Sequence, residues 1–157
     1  MKRASTAAIA ANELFGAILV PLAIAAALSQ RPGALPTWYL AFALTGAAVA
    51  GLAGLLLLLG WKWGWALSLF VQTVQVVGYA NPNYSAHVEF GFKIGLEFTS
   101  SGFMSRWGFG GQISIGPLGG IPEPTFYVNV LALVALIFLI ASRRHLTPGH
   151  EAAAPVV

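Results

Sequence analysis

A long uncharged segment constrains the fold of this chain most. Residues 37–59 contain no charged side chain and consist mostly of Leu, Ala, Gly and Val. A stretch of about 20 such residues spans the hydrocarbon of a bilayer as a helix. Hydrophobic residues make up 57% of the chain and charged residues 8%, against roughly 25% charged residues in soluble proteins. This composition indicates that lipid is the solvent for much of the protein.

Three further apolar segments predict a bundle. They cover about residues 8–28, 65–79 and 125–141, and the last two are shorter than the others. We therefore predict an all-α membrane protein with four transmembrane helices and an extracytoplasmic β-hairpin between the third and fourth. Residues 1–145 form the single membrane domain in this prediction, and residues 146–157 form a disordered cytoplasmic tail.

The distribution of Lys and Arg predicts the orientation of these helices. Cytoplasmic loops of membrane proteins carry an excess of both residues. Basic residues are found at positions 2–3, in the turn GWKWG at 60–64, and at positions 143–144. Placing these three groups on the cytoplasmic side puts both termini in the cytoplasm and residues 80–124 outside the cell membrane.

One stretch of the predicted outer loop has the periodicity of a strand. In residues 87–98, HVEFGFKIGLEF, every second residue is apolar, as in a half-buried β-strand. A second run at 103–115 has the same alternation, and the four residues TSSG connect the two runs. We predict an amphipathic β-hairpin at about residues 86–116, with Phe98 opposite Phe103.

The apolar face of this hairpin is predicted to cover the bundle or to dock another subunit. The register places Ile94 opposite Trp107 and Phe92 opposite Phe109. A two-stranded hairpin is marginally stable alone in water, so its apolar face must rest on a second surface. The residues that we predict for this surface are Phe90, Phe92, Ile94, Trp107 and Phe109.

The third apolar segment carries a polar stripe. Ser68, Gln72 and Gln75 follow at intervals of four and three residues, so they share one face of a helix. Counting about 1.5 Å of rise per residue, Gln72 lies near the depth of Thr45, and Gln75 lies near the depth of Asn129. Hydrogen bonds between helices account for such residues. A polar pathway for a solute is the alternative.

Two other features of the apolar segments invite interpretation. Gly46, Ala50 and Gly54 form a row of small residues that lets another helix approach closely, either within the bundle or from a second subunit. Glu13 is the one acidic residue inside an apolar segment. We expect it near the inner surface, exposed or paired with Lys62, and an ion-coupling role is the alternative.

The chain lacks the residues of common catalytic sites. It contains no Asp and no Cys, and no metal-binding or phosphate-binding motif is found. Its basic residues form no stripe of the kind that binds nucleic acid. We therefore predict no enzymatic activity, no metal, no cofactor and no nucleic-acid partner.

The order of these features resembles that of small uncharacterised bacterial inner-membrane proteins. The resemblance rests on residues 51–78, GLAGLLLLLGWKWGWALSLFVQTVQVVG, on the β-like outer loop, and on NVLALVALIFLI at 129–140. It implies four helices and a multi-pass position in the inner membrane, and it implies no activity.

These observations lead to two hypotheses of function. The first is an accessory or scaffolding subunit of a larger membrane complex, docking through the hairpin and the small-residue helix faces. Its partners are membrane lipid and other membrane subunits or a second copy of itself. The second is a small oligomeric transporter or channel-like protein with a polar path along the third helix.

Overall fold

The computed structural model describes residues 2–31, 35–83, 85–116 and 123–142. Within these residues the chain forms four helices and four strands, in the order α1, α2, α3, β1, β2, β3, β4, α4. The helices are α1 (Lys2–Gln30), α2 (Thr37–Leu58), α3 (Lys62–Val76) and α4 (Val130–Ser142). The strands are β1 (Val77–Ala80), β2 (Ser85–Thr99), β3 (Gly102–Gly116) and β4 (Thr125–Asn129). The predicted tail 146–157 and the basic pair at 143–144 lie outside the described residues.

The prediction of an all-α protein with four transmembrane helices is wrong. Of the described helices, only α1 and α2 are long and apolar enough to cross a membrane. α3 has 15 residues and α4 has 13, whereas a span needs about 20. β1 follows α3 without a break, and β4 runs directly into α4. The apolar segments 65–79 and 125–141 are therefore each divided between a helix and a strand.

The residues and pairing of β4 explain why the last apolar segment is divided. The sequence of β4, TFYVN, begins with aromatic and β-branched residues, which fit a pleated surface well. β4 pairs with β1 on one side and with β2 on the other, so its backbone groups are bonded without helix formation. A short apolar run alone does not distinguish a strand from a buried helix segment.

The four strands form one antiparallel sheet in the order β1–β4–β2–β3. β1 pairs with the first residues of β2 as well as with β4, while β4 pairs with β2 at residues 95–98. Gly91 lies between these two pairings with a φ of 82°, a conformation that favours glycine. β2 therefore curves around the β1–β4 pair.

The predicted hairpin and its register are confirmed. β2 and β3 pair with Phe98 opposite Phe103, Ile94 opposite Trp107, and Phe92 opposite Phe109. Successive side chains of a strand point to opposite faces, so a shift in register by one residue would move every apolar side chain to the other face. The alternation and the turn length together therefore specify this pairing.

The hairpin lies beside the long helices. Phe90 of β2 is 3% exposed and packs in one cluster with Val20 of α1 and with Ala43 and Ala47 of α2. The first half of β2 packs against α1, where Phe90 and Gly91 lie at contact distance from Gly16. The predicted lid over the end of a four-helix bundle is thus corrected to a sheet that continues the two short helices.

The small residues of α2 pack inside the protein. A Cβ atom at Gly54 would lie 2.7 Å from the carbonyl oxygen of Ala10, so α1 crosses α2 at contact distance there. Ala50 is fully buried in the cluster around Phe90, and Gly46 is half-buried. Two members of the predicted row therefore serve packing within the chain, which leaves little of it for a second subunit.

Candidate functional site

A buried carboxyl group joins α1 to α3. Glu13 is 1% exposed. Its two carboxyl oxygens accept hydrogen bonds from Ser68 Oγ at 2.7 Å and from Gln72 Nε2 at 3.0 Å. A buried carboxyl group is tolerated where such donors replace water. The expectation that the Glu13 carboxyl group is exposed or paired with Lys62 is wrong, because it is buried against Ser68 and Gln72 of α3. Its depth relative to the inner membrane surface stays a prediction.

Two carboxamide side chains hold β2 against the helices. Asn12 Oδ1 accepts a hydrogen bond from the backbone N–H of Phe92 at 2.6 Å, and Gln75 Oε1 accepts one from that of Phe90 at 2.9 Å. Phe90 and Phe92 lie between the part of β2 that pairs with β1 and the part that pairs with β4. Asn12 and Gln75 therefore supply acceptors that a neighbouring strand would otherwise provide.

A pair of glycines permits this close approach of α1 and β2. A Cβ atom at Gly16 would lie 2.7 Å from the carbonyl carbon of Phe90 and would collide with the backbone nitrogen of Gly91. A Cβ atom at Gly91 would in turn collide with the carbonyl oxygen of Asn12. The absence of both side chains brings Asn12 within hydrogen-bond distance of β2.

The structure brings together only part of the predicted polar stripe. Ser68 and Gln72 share Glu13 as their acceptor, and Gln75 binds β2. Asn129 Oδ1 accepts a hydrogen bond from the N–H of Ala132 at the start of α4, and Thr45 is exposed on α2. The expected proximity of Gln72 to Thr45 and of Gln75 to Asn129 does not produce hydrogen bonds among the described residues.

Sequence reasoning missed the partners of these side chains. Asn12 and Glu13 are adjacent polar residues inside an apolar helix, and such residues normally face the protein interior. That signal, taken with the stripe on α3, indicates contact between α1 and α3. The bond from Asn12 to β2 spans 80 residues of chain, and no local pattern in the sequence indicates it.

A row of aromatic residues crosses the sheet on its apolar face. Tyr79, Phe126, Phe98 and Phe103 are successive cross-strand partners on β1, β4, β2 and β3. The ring centroids of Tyr79 and Phe126 are 5.6 Å apart, and those of Phe98 and Phe103 are 6.3 Å apart. We call these four residues the aromatic row. Phe126 and Phe98 are about half exposed, and Phe103 is 73% exposed.

β3 forms the edge of the sheet next to this row. Among the described strands it pairs with β2 alone, and Trp107 on it is 76% exposed. Of the predicted docking residues, Ile94 and Trp107 are exposed, whereas Phe90 is buried and Phe92 is half-buried. The side chain of Phe109 lies outside the described part of the chain. The apolar face is thus divided between a half that contacts the helices and an open half.

The opposite face of the sheet carries charged and polar residues that bind one another. Arg106 Nε lies 2.6 Å from Glu97 Oε2, Glu89 pairs with Lys93, and the ring of His87 stacks on Tyr127 with centroids 5.2 Å apart. Burial raises the pKa of Tyr127, and the neighbouring Glu97 carboxylate raises it further. In the part of the chain described, no group of three His, Cys, Asp or Glu residues could hold a metal ion.

Comparisons with protein-family models, with curated proteins and with solved structures give no match. The function must therefore be inferred from the geometry of the chain itself. Three features are available for that purpose: the buried Glu13 cluster, the carboxamides that hold β2, and the exposed edge strand with its aromatic row.

Proposed function

We propose that this chain is a non-enzymatic accessory or scaffolding subunit that docks on another membrane protein through β3 and the aromatic row. The observation that carries the proposal is the open edge of β3 at residues 102–107, which are all exposed. Phe103 and Trp107 lie there and are the most exposed aromatic side chains of the sheet among those described. An unprotected strand edge is a template for pairing with another chain, and adjacent side chains then give specificity.

A membrane location supports the proposal. α1 and α2 have the length and apolar composition of membrane spans. Large apolar side chains are also exposed on the helices, among them Ile18, Leu22, Leu52, Val134 and Ile137. Exposed apolar side chains in this number suit contact with lipid or with another protein. With α1 and α2 as the two spans, both termini lie on one side of the membrane. We propose that this side is the cytoplasm, because it carries most of the Lys and Arg residues, and that the membrane is the inner membrane, as the resemblance implies.

The transporter hypothesis receives less support from the geometry. A solute path needs polar side chains that are free to turn toward a solute, whereas Ser68, Gln72 and Gln75 on α3 are each held by at least one hydrogen bond within the chain. Ser68 and Gln72 donate to Glu13, and Gln75 accepts from β2. The polar stripe therefore joins elements of the chain, as the interhelical hydrogen-bond interpretation expects.

The docking surface is tested with a double variant in which Phe103 and Trp107 are both replaced by Ser. We expect the double variant to bind its partner at least about tenfold more weakly, because exposed aromatic residues at the centre of an interface carry much of its binding energy. The measurement is the mass and composition of the particle extracted in mild detergent, compared with the 16.5 kDa of the chain alone.

Met104→Ser is the matched control. Met104 is also exposed on β3, but as the residue after Phe103 it belongs to the other face of the strand. It should leave the particle unchanged, and thermal unfolding should show that both variants fold. A double variant that keeps its partner would contradict the proposal. A particle made only of copies of this chain would also contradict it and favour the oligomeric alternative.

A further inference from the structure

A cleft of about 440 Å³ lies between α1 and α4. Its volume falls within the range of about 300–1,000 Å³ that is common for small-molecule sites. Each wall is one helix face with residues at positions i, i+3, i+4 and i+7. The α1 wall consists of Ser5, Ala8, Ile9 and Asn12, and the α4 wall consists of Leu131, Val134, Ala135 and Phe138.

One end of the cleft carries two carboxamides. Gln72 and Asn12 both line it, together with the ring of Phe92. The carbonyl oxygen of Asn12 accepts from β2, and the amide nitrogen of Gln72 donates to Glu13. Among the described residues, no partner is found for the amide NH₂ group of Asn12 or for the carbonyl oxygen of Gln72. This end therefore offers one donor and one acceptor, both on side chains fixed by other bonds.

Apart from Ser5, the rest of the described lining of the cleft is apolar and reaches the exterior of the protein. Val134 lines the cleft and is 56% exposed, on the same helix as the exposed Ile137 and Ile140. Among the described residues that line the cleft, none is charged. A charged head group would lose water there without gaining a counter-ion, whereas a hydrocarbon chain would enter directly from lipid.

We propose that this cleft binds a neutral single-chain amphiphile. The hydrocarbon tail lies between α1 and α4, and a hydroxyl head group bonds to Asn12 and Gln72. A hydroxyl group matches both sides of this pair, because it accepts from Asn12 and donates to Gln72. The ligand class is a long-chain alcohol or a monoacyl lipid with an uncharged head, and the site is separate from the β3 docking surface.

The test uses a photoreactive hexadecanol with the full chain reconstituted in phosphatidylcholine vesicles. Cross-linked residues are identified by peptide mass spectrometry. We expect adducts on residues 5–12 of α1 and 131–138 of α4, and competition by unlabelled hexadecanol but much less by hexadecane. Uniform labelling of all lipid-facing helix surfaces would overturn the proposal, because it would show only bulk lipid contact.

Ala8→Phe tests the volume of the cleft, and Ala11→Phe is its control. Ala8 lines the cleft, whereas Ala11 is exposed on α1 and does not line it. The added ring at position 8 should reduce labelling at least about tenfold, a change of 1.4 kcal/mol or more, and the ring at position 11 should leave it within about twofold. Equal labelling of the two variants would overturn the proposal. Should Ala8→Phe fail to fold, the adduct map of the unaltered protein decides the question.

Discussion

Replacement of Glu13 by Ala should lower the free energy of unfolding by about 2–6 kcal/mol, since it leaves two buried donors without an acceptor and each unsatisfied donor costs about 1–3 kcal/mol. Ser68 and Gln72 are 0% and 2% exposed, so water does not replace the lost acceptor. The change also removes side-chain volume from a fully buried position, which adds a cavity. The measurement is unfolding of the purified protein in detergent or bicelles, followed by circular dichroism.

Glu13→Gln is the control for this change. The carboxamide keeps the shape of the side chain and one acceptor oxygen, and the hydroxyl of Ser68 can reverse its role and accept from the new NH₂ group. We expect a loss less than half of that for Ala. Equal losses for both variants, or an Ala variant as stable as the unaltered protein, would show that the hydrogen bonds from α3 to Glu13 contribute little to the fold.

Gly16→Val should separate β2 from α1 and cost about 2–3 kcal/mol, because overpacking of a tight contact costs about that much. The atoms that the new side chain meets are backbone atoms of Phe90 and Gly91 and the Cβ atom of Phe90, none of which moves when a side chain changes rotamer. The separation should also break the bond from Phe92 N–H to Asn12 Oδ1. Hydrogen exchange at the amides of Phe90 and Phe92 should accelerate, and this readout distinguishes local release from general loss of stability.

Ala25→Val is the matched control on the same helix. Ala25 is exposed on α1, so the same side chain there meets no backbone. It should change stability by less than about 0.5 kcal/mol and leave exchange at Phe90 unchanged. Comparable acceleration in both variants would contradict the tight contact between Gly16 and β2.

The hairpin could be predicted from sequence because its information is local. Alternation from Val88 to Phe98 specifies the face, and the short connection TSSG specifies the register. The lengths of α3 and α4 could not be predicted in the same way. An apolar run such as TFYVNVLALV supports a helix or a buried strand equally well, and the pairing of β4 with β1 and β2 decides between them.

In the candidate site, too, the local features could be predicted and the distant contacts could not. The helical spacing of Ser68, Gln72 and Gln75 predicts a shared face, and these residues are buried together on α3. Their partners are 15 to 59 residues away along the chain. The expected pairing of Gln75 with Asn129 assumed a helix where the chain forms β4. The expected pairing of Gln72 with Thr45 failed although both lie on helices, because Thr45 is on the exposed face of α2.

The central claim, that β3 docks another membrane protein, is tested most directly by photocross-linking from single positions. A photoreactive amino acid is placed at Trp107, at Phe103 and, as a reference, at Leu52, which is exposed on α2. The account predicts adducts to one other membrane protein from positions 103 and 107, and adducts to lipid alone from position 52. Lipid adducts alone from all three positions would contradict it.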